Sequence, residues 1–257
     1  MNLHIEGRVA LVTGGTQGIG KACAIKLAAE GAQVVIAARG KDLLDQVATE
    51  IRSTGGTVTA IQADVSKEAD CERLISETIA TYGRIDILVN NAGTSATGEF
   101  ESITDEGWQA DFDLKLFAAI RLSRLAIPHM KQHHWGRIIN VTNIGAKQPA
   151  AKSMPTTVTR AAGLAMTKAL SREFAPNNIL VNSVCIGLIE AGQHERKAAK
   201  LGIAVEQLYD KLTADIPLGR VGRADEVANV VAFLASEAAS YVSGSSINLD
   251  GGKSAVM

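Results

Sequence analysis

Aromatic residues are scarce: Phe, Trp and Tyr together make up 4% of the 257 residues, against 46% for the hydrophobic residues as a whole. A core with so few rings must be filled by Ala, Val, Ile and Leu, the filling of parallel strands buried on both faces, which argues against a β-sandwich. Cysteine is rarer still. Cys23, Cys71 and Cys185 are odd in number, far apart and without CxxC spacing, so they suggest neither a disulfide framework nor a zinc site, and no metal is expected. Charge of one sign is also missing. With a formal net charge of −1 and no basic or acidic block, the chain has no tail for nucleic acid or an anionic membrane. No apolar run reaches the roughly 18 residues of a bilayer span. The N-terminus meets a strand-like run within a few residues, with no basic start and apolar signal core. A cytoplasmic protein with reduced thiols is the expectation.

What is present is alternation. Short apolar runs alternate with longer amphipathic stretches, the pattern of repeated βα units and a parallel sheet. Strands are expected at Arg8–Thr13, Gln33–Ala38, Thr57–Gln62, Ile85–Asn90, Gly136–Thr142, Ile179–Val184 and Ser245–Leu249. Helices are expected at Gly18–Glu30, Lys41–Thr54, Lys67–Tyr82, Asp105–His133, Thr156–Ala175 and Ala224–Ser236. No linker or internal repeat divides the chain, so residues 1–257 read as one doubly wound α/β domain. The long departure at Gly187–Pro217, helical in pieces (Gln193–Lys200 and Val205–Ala214), follows a strand end, where such sheets bind ligands, and is placed to form a lid.

Directly after the first strand comes Thr13-Gly14-Gly15-Thr16-Gln17-Gly18-Ile19-Gly20. Gly14 permits a tight turn, Gly18 lets backbone approach a pyrophosphate, and Gly20 lets helix and strand pack closely. The helix that follows presents unpaired N–H groups and a positive dipole end to the phosphates. About 20 residues on, a cofactor with a free ribose 2′-hydroxyl usually meets an acidic residue. Here Arg39 ends the second strand. An arginine cannot accept from that hydroxyl but pairs with a 2′-phosphate, favouring NADP(H) over NAD(H); a solvated arginine is the competing explanation. Asp64 and Val65 close the third strand, where they can frame an adenine.

These segments, with Asn90-Asn91-Ala92-Gly93, Gly136-Arg137-Ile138-Ile139-Asn140-Val141, Pro217-Leu218-Gly219-Arg220 and Gly244 to Gly252, resemble the classical short-chain dehydrogenases/reductases over essentially the whole length. The resemblance implies a Rossmann-type, seven-stranded parallel sheet in three α/β/α layers, a nicotinamide cofactor, and a homotetramer or dimer packed through the helices that begin near Asp105 and Thr156. It also implies cofactor contacts from Gly14, Thr16, Gln17, Gly18, Ile19, Arg39, Asp64, Val65, Asn91, Ala92, Gly93, Arg160, Gly187 and Ile189.

That family ordinarily uses an Asn, a Ser and a Tyr and Lys spaced YxxxK. Laid on without gaps, those positions carry Lys115, Asn143, Thr156 and Arg160, and the chain's tyrosines, Tyr82, Tyr209 and Tyr241, are elsewhere. Hydride delivery to a carbonyl leaves an alkoxide that needs a proton. A phenol with a pKa near 10 can give one; a threonine hydroxyl is far too weak an acid, and a guanidinium with a pKa above about 12 holds its proton. Lys115 is expected to share a pocket with Arg160, where like charge and burial lower its pKa. Two roles stand open for it: proton donor, or fixed charge on an oxyanion or substrate carboxylate, with Asn143 hydrogen-bonding beside it.

The resulting expectation is an NAD(P)(H)-dependent oxidoreductase with a non-standard site, acting on a small carbonyl/alcohol or related C=N or C=C pair, with an anionic substrate among the options. Two alternatives stand beside it: a silent cofactor-binding subunit of a hetero-oligomer, and non-redox chemistry on a lysine amine. Arg196, Lys197 and Lys200 on the lid read either as a solvated face or as an anion contact. His129, His133 and His134 end a long helix, where cations complement the dipole. Trp108 reads as packing and Trp135 as a turn or interface residue.

Overall fold

The structure, a computed structural model, describes residues 2–190, 199 and 202–257. Seven parallel strands form one sheet in the order β3-β2-β1-β4-β6-β8-β9: β1 (Val9–Thr13), β2 (Gln33–Ala38), β3 (Thr57–Gln62), β4 (Ile87–Asn90), β6 (Gly136–Asn143), β8 (Ile179–Ile186) and β9 (Ser246–Leu249). Every residue of β1 and β4 is buried, because helices cover both faces of the sheet. The helices carry matching stripes. In α1 (Gly18–Ala29) the buried set is Gly20, Cys23, Ala24, Leu27 and Ala28, and in α2 (Lys41–Ser53) it is Leu44, Val47, Ala48 and Ile51, both at helical spacing. These two and the Ala224–Leu234 helix close one face; α3 (Glu68–Tyr82) and α5 (Ala118–Gln132) help close the other. The three-layer, Rossmann-type α/β expectation is met.

The chain departs from the expected elements in one instructive place. The single helix expected over Asp105–His133 is three pieces: α4 (Asp105–Phe112), a π-helical turn at Asp113–Phe117, and α5. A π turn inserts an extra residue and rotates the side chains that follow, and such turns recur at functional sites. Here it carries the buried Lys115. His133 caps α5, and His134 lies beyond it with φ 47°. A short antiparallel pair, β5 (Thr97–Gly98) with β7 (Met154–Pro155), was not foreseen; it pins the start of α6 (Thr156–Phe174) against the strand following β4.

Of the expected lid helices, the second is observed at Val205–Thr213. The first, Gln193–Lys200 with Arg196, Lys197 and Lys200, lies, Ala199 apart, outside the described residues. Among the described residues no helix is long and apolar enough to cross a membrane, and no group of three His, Cys, Asp or Glu could hold a metal.

The N-terminal edge of the sheet is held by charge. Asp86 accepts from Arg84 (2.6 and 2.8 Å), from Arg8 and from the Val9 amide. Trp135 is buried between the guanidinium groups of Arg8 and Arg137, 4.0 and 4.2 Å from its ring centroid. Trp108 stacks on Phe112 at 5.9 Å.

Candidate active site

A cleft of about 640 Å³ lies at the carboxyl ends of β1, β2, β4 and β6, where strand order reverses about β1 and open α/β sheets bind ligands. Its floor is the glycine turn. Gly14 and Gly18 have φ of +65° and +50°, a region that disfavours side chains. A Cβ on Gly20 would lie 2.2 Å from the Gly14 carbonyl oxygen, so only glycine allows α1 to start this close to β1. No side chain caps α1, leaving its first-turn N–H groups for a ligand.

The Asn-Asn-Ala-Gly run straps this turn to β4. Asn91 Nδ2 donates to the Thr13 carbonyl (2.9 Å), and the Asn91 and Ala92 amides both donate to Thr13 Oγ1 (3.0 Å). Behind it a buried polar chain runs across the sheet: Asn90 Nδ2 donates to Asn140 Oδ1, Asn140 Nδ2 to Thr167 Oγ1, and Thr167 bonds Ser183 Oγ. Such buried networks help to fix one arrangement of the elements that bear them, although Asn90 Oδ1 in this chain of bonds has no partner.

Gly14, Thr16, Gln17, Gly18, Ile19, Arg39, Asp64, Val65, Asn91, Ala92, Gly93, Asn143, Thr156, Arg160 and Gly187 all line the cleft. Two expected site residues do not. Ile189 is buried beside a second cavity, of about 500 Å³, between Leu188, Pro217–Leu218 and Asn248–Gly252. Lys115 lies behind the cleft wall with its side chain 1% exposed.

The Lys115 ammonium is enclosed by partners. It ion-pairs with Asp111 one turn earlier, and donates to Thr156 Oγ1 at 2.7 Å. The second Asp111 oxygen accepts from Thr159 Oγ1 at 2.6 Å, so both carboxylate oxygens are engaged. Thr156 Oγ1 donates to the Ala96 carbonyl (2.8 Å) and accepts from the Ala96 amide (3.0 Å). Burial is the main cause that lowers the Lys115 pKa; Asp111 opposes the shift and the Arg160 charge adds to it.

Arg160 reaches the cleft floor between Gly93 and β6. Its Nη1 donates to the Val141 carbonyl at 2.7 Å, and a Cβ on Gly93 would lie 2.7 Å from its Nη2, so a larger residue there would push the guanidinium aside. Enclosure pushes the guanidinium pKa down to about 10, still charged at neutral pH. Its buried Nε has no hydrogen-bond partner, and neither has the buried Asn143 Oδ1. Open N–H groups at the turn and two orphaned polar atoms at the far end are what a polar, elongated ligand would satisfy, and a dinucleotide fits that donor set. Among the described residues no tyrosine lines the cleft. Tyr82 bonds Thr59 Oγ1 on the β3 side, Tyr241 is fully exposed, and Tyr209 sits on the Val205–Thr213 helix.

The reading from sequence did not find Asp111 and Thr159. The Asp111–Lys115 spacing of four was a visible signal for a helical ion pair. Nothing in the sequence alone marked Thr159.

The pattern of the family described as enoyl-(acyl carrier protein) reductase matches residues 14–254. The chain belongs to the short-chain dehydrogenase/reductase family. This short-chain dehydrogenase/reductase is 33% identical over 250 residues to the 3-oxoacyl-[acyl-carrier-protein] reductase FabG of Thermotoga maritima, covering 97% of this chain and 99% of the relative. The L-sorbose reductase of Gluconobacter frateurii, solved with NADPH and L-sorbose, superposes with a TM-score of 0.97 at 33% identity over all of both chains. An actinorhodin polyketide ketoreductase solved with NADPH gives 0.91 at 32% identity, covering 97% of this chain and 98% of that one.

Proposed function

We propose that the chain is an NADP(H)-preferring oxidoreductase that interconverts a carbonyl and an alcohol, or a related C=N or C=C pair, with Lys115, Asn143, Thr156 and Arg160 in place of a phenol-based site. The observation that carries this reading is the cleft itself: it has the glycine turn and open helix end of a dinucleotide site, yet no tyrosine on its wall. NADPH in the solved relatives supports the cofactor preference, as does Arg39 at the end of β2, the position from which a guanidinium pairs with a 2′-phosphate. Ketoacyl and sugar reductases among the relatives favour a small polar carbonyl substrate.

When bound, the dinucleotide supplies or accepts a hydride. The residues of this chain do the rest. The turn at Gly14–Gly20 holds the diphosphate, and Arg39 the 2′-phosphate. Arg160, already anchored on Val141, orients the ribose nearest the reacting ring and adds positive charge where an oxyanion develops. Asn143 Oδ1, unpartnered at the end of β6, orients the substrate hydroxyl. The described parts of the expected lid, residues 187–190 and 202–217, then serve as the cover that keeps water away.

Calorimetric titration with NADPH and NADH tests the preference. NADPH is expected to bind at least about tenfold tighter, and Arg39→Asp to abolish that difference. A panel of β-keto thioesters and ketoses, followed through loss of the dihydronicotinamide absorbance, tests the reaction. Tight NADPH binding with a silent panel would refute catalysis and leave a cofactor-binding subunit.

A further inference from the structure

Among the described residues no carboxyl, phenol or imidazole lines the cleft around Asn143, Thr156 and Arg160, but a charged group lies one hydrogen bond behind Thr156. We propose that Thr156 relays a proton between the cleft and the buried Lys115 ammonium, with Asp111 as the counter-ion that holds Lys115 in place. This rests on the carbonyl-reduction reading above.

The geometry narrows the choice. Asp111 has both oxygens engaged, by Lys115 and by Thr159, and does not line the cleft, so it has no direct path to a substrate. Arg160 keeps its charge and is committed to Val141. Lys115 is sealed off, its side chain 1% exposed, and so acts only through what it touches. Of its two hydrogen-bond partners, Thr156 lines the cleft and Asp111 does not. Thr156 Oγ1 is also held on its other side by both backbone polar groups of Ala96, which fixes the oxygen; its hydrogen is given to the Ala96 carbonyl and must leave that carbonyl to reach a substrate. An aliphatic alcohol is too weak an acid alone; it serves as a relay because its oxygen gains a proton as it loses one.

In the reducing direction a C–H bond forms at the carbonyl carbon with hydride from the bound dinucleotide, and the C=O π electrons move onto oxygen. That oxygen takes the Thr156 Oγ1 proton. Thr156 Oγ1 takes a proton from Lys115 Nζ along the 2.7 Å hydrogen bond already in place. Lys115 is left as a neutral amine beside the Asp111 carboxylate, and a solvent proton returns by the same route after product leaves. The charged groups facing Lys115 are Asp111 from α4 and Arg160 from α6; burial and Arg160 favour release of the proton, and Asp111 resists it.

Two measurements test the relay. The first uses the full chain without cofactor, labelled with 13Cε-lysine, with Lys115 assigned through Lys115→Arg. Its resonance is expected to titrate below those of the other lysines, and lower again in Thr156→Val, which removes a hydrogen bond to the ammonium, and in Asp111→Asn, which removes its counter-charge. The second uses NADPH with acetoacetyl-CoA. Thr156→Val is expected to keep NADPH binding and to lose about 10²–10⁴-fold in kcat, and Thr156→Ser to recover most of it. Wild-type turnover with an unimpaired Thr156→Val overturns the relay and leaves the oxidoreductase reading standing. A Lys115 signal that titrates with the surface lysines, or ignores Thr156→Val, overturns it independently of turnover. Absence of NADPH binding to the wild type sinks the underlying reading, and the relay with it.

Discussion

Gly20→Ala is the sharpest test of how the cleft is built. A Cβ there would sit 2.2 Å from the Gly14 oxygen, 2.4 Å from Asn91 Nδ2 and 2.8 Å from the Gly14 carbonyl carbon. The blocking atoms are backbone and a hydrogen-bonded amide, so the turn itself must retreat, by roughly 1 Å to reach ordinary contact distance. Overpacking of that kind costs about 1–3 kcal/mol. Moving Asn91 off the Thr13 and Gly14 carbonyls adds about 1 kcal/mol. The sum is about 3 kcal/mol, a fall in Tm of roughly 6–12 °C for a chain of this size. The same retreat carries away N–H groups meant for a diphosphate, and loss of one charge-assisted hydrogen bond weakens NADPH by about tenfold or more. Gly18→Ala is the control: no heavy atom lies within 4 Å of its Cβ, and its φ of +50° predicts a stability loss of only about 1–2 kcal/mol. Thermal melts and calorimetry on both variants decide the matter. A Gly20→Ala protein that melts with the wild type and binds NADPH within about threefold would refute the steric argument, as would Gly18→Ala being the less stable of the two.

Two other outcomes follow from the charges and thiols. Glu226 is gripped by the Arg220 fork at 2.7 and 2.9 Å and by the Arg223 amide at 2.7 Å, which together hold its carboxyl at about 2, below the ordinary 4.5. A carboxylate depressed in the folded state contributes stability in full above pH 4.5 and loses it as pH falls through about 2; carboxyl NMR titration of wild type and Arg220→Gln, whose Glu226 midpoint is expected to rise, checks this. Cys23, Cys71 and Cys185 are all buried, with the first two thiols pushed up to about 12 and about 11 by burial, so a thiol-specific disulfide reagent is expected to label them only after unfolding.

The strands were the most legible part of the sequence. Gln33–Ala38 and Thr57–Gln62 are observed as read, and the other five ends move by one or two residues, because an unbroken apolar run bounded by polar residues has few other ways to be buried. The π turn at Asp113–Phe117 was not legible. An i→i+5 bond leaves no compositional mark, and Lys115 is drawn inward by Thr156 as well as by the nearby Asp111, the first a contact that exists only once the π turn and α6 meet. The glycine turn that lines the cleft could be read from local spacing, whereas Thr159, whose partner Asp111 lies 48 positions away, could not. Ile189 was expected at the cofactor from the family resemblance; it instead bridges Gly222 beside the second cavity.

The enclosed group of Asp111, Lys115, Thr156 and Thr159 also constrains how this region can vary. Each member satisfies at least one other, so a single exchange strands a desolvated charge, at a cost of about 3–5 kcal/mol when it is one of the ions. A phenol introduced at 156 would meet an ammonium that has no other exit. Their effects are therefore epistatic, and the four positions form one heritable unit: lineages and engineered libraries alike can cross to another solution only by changing several of them together.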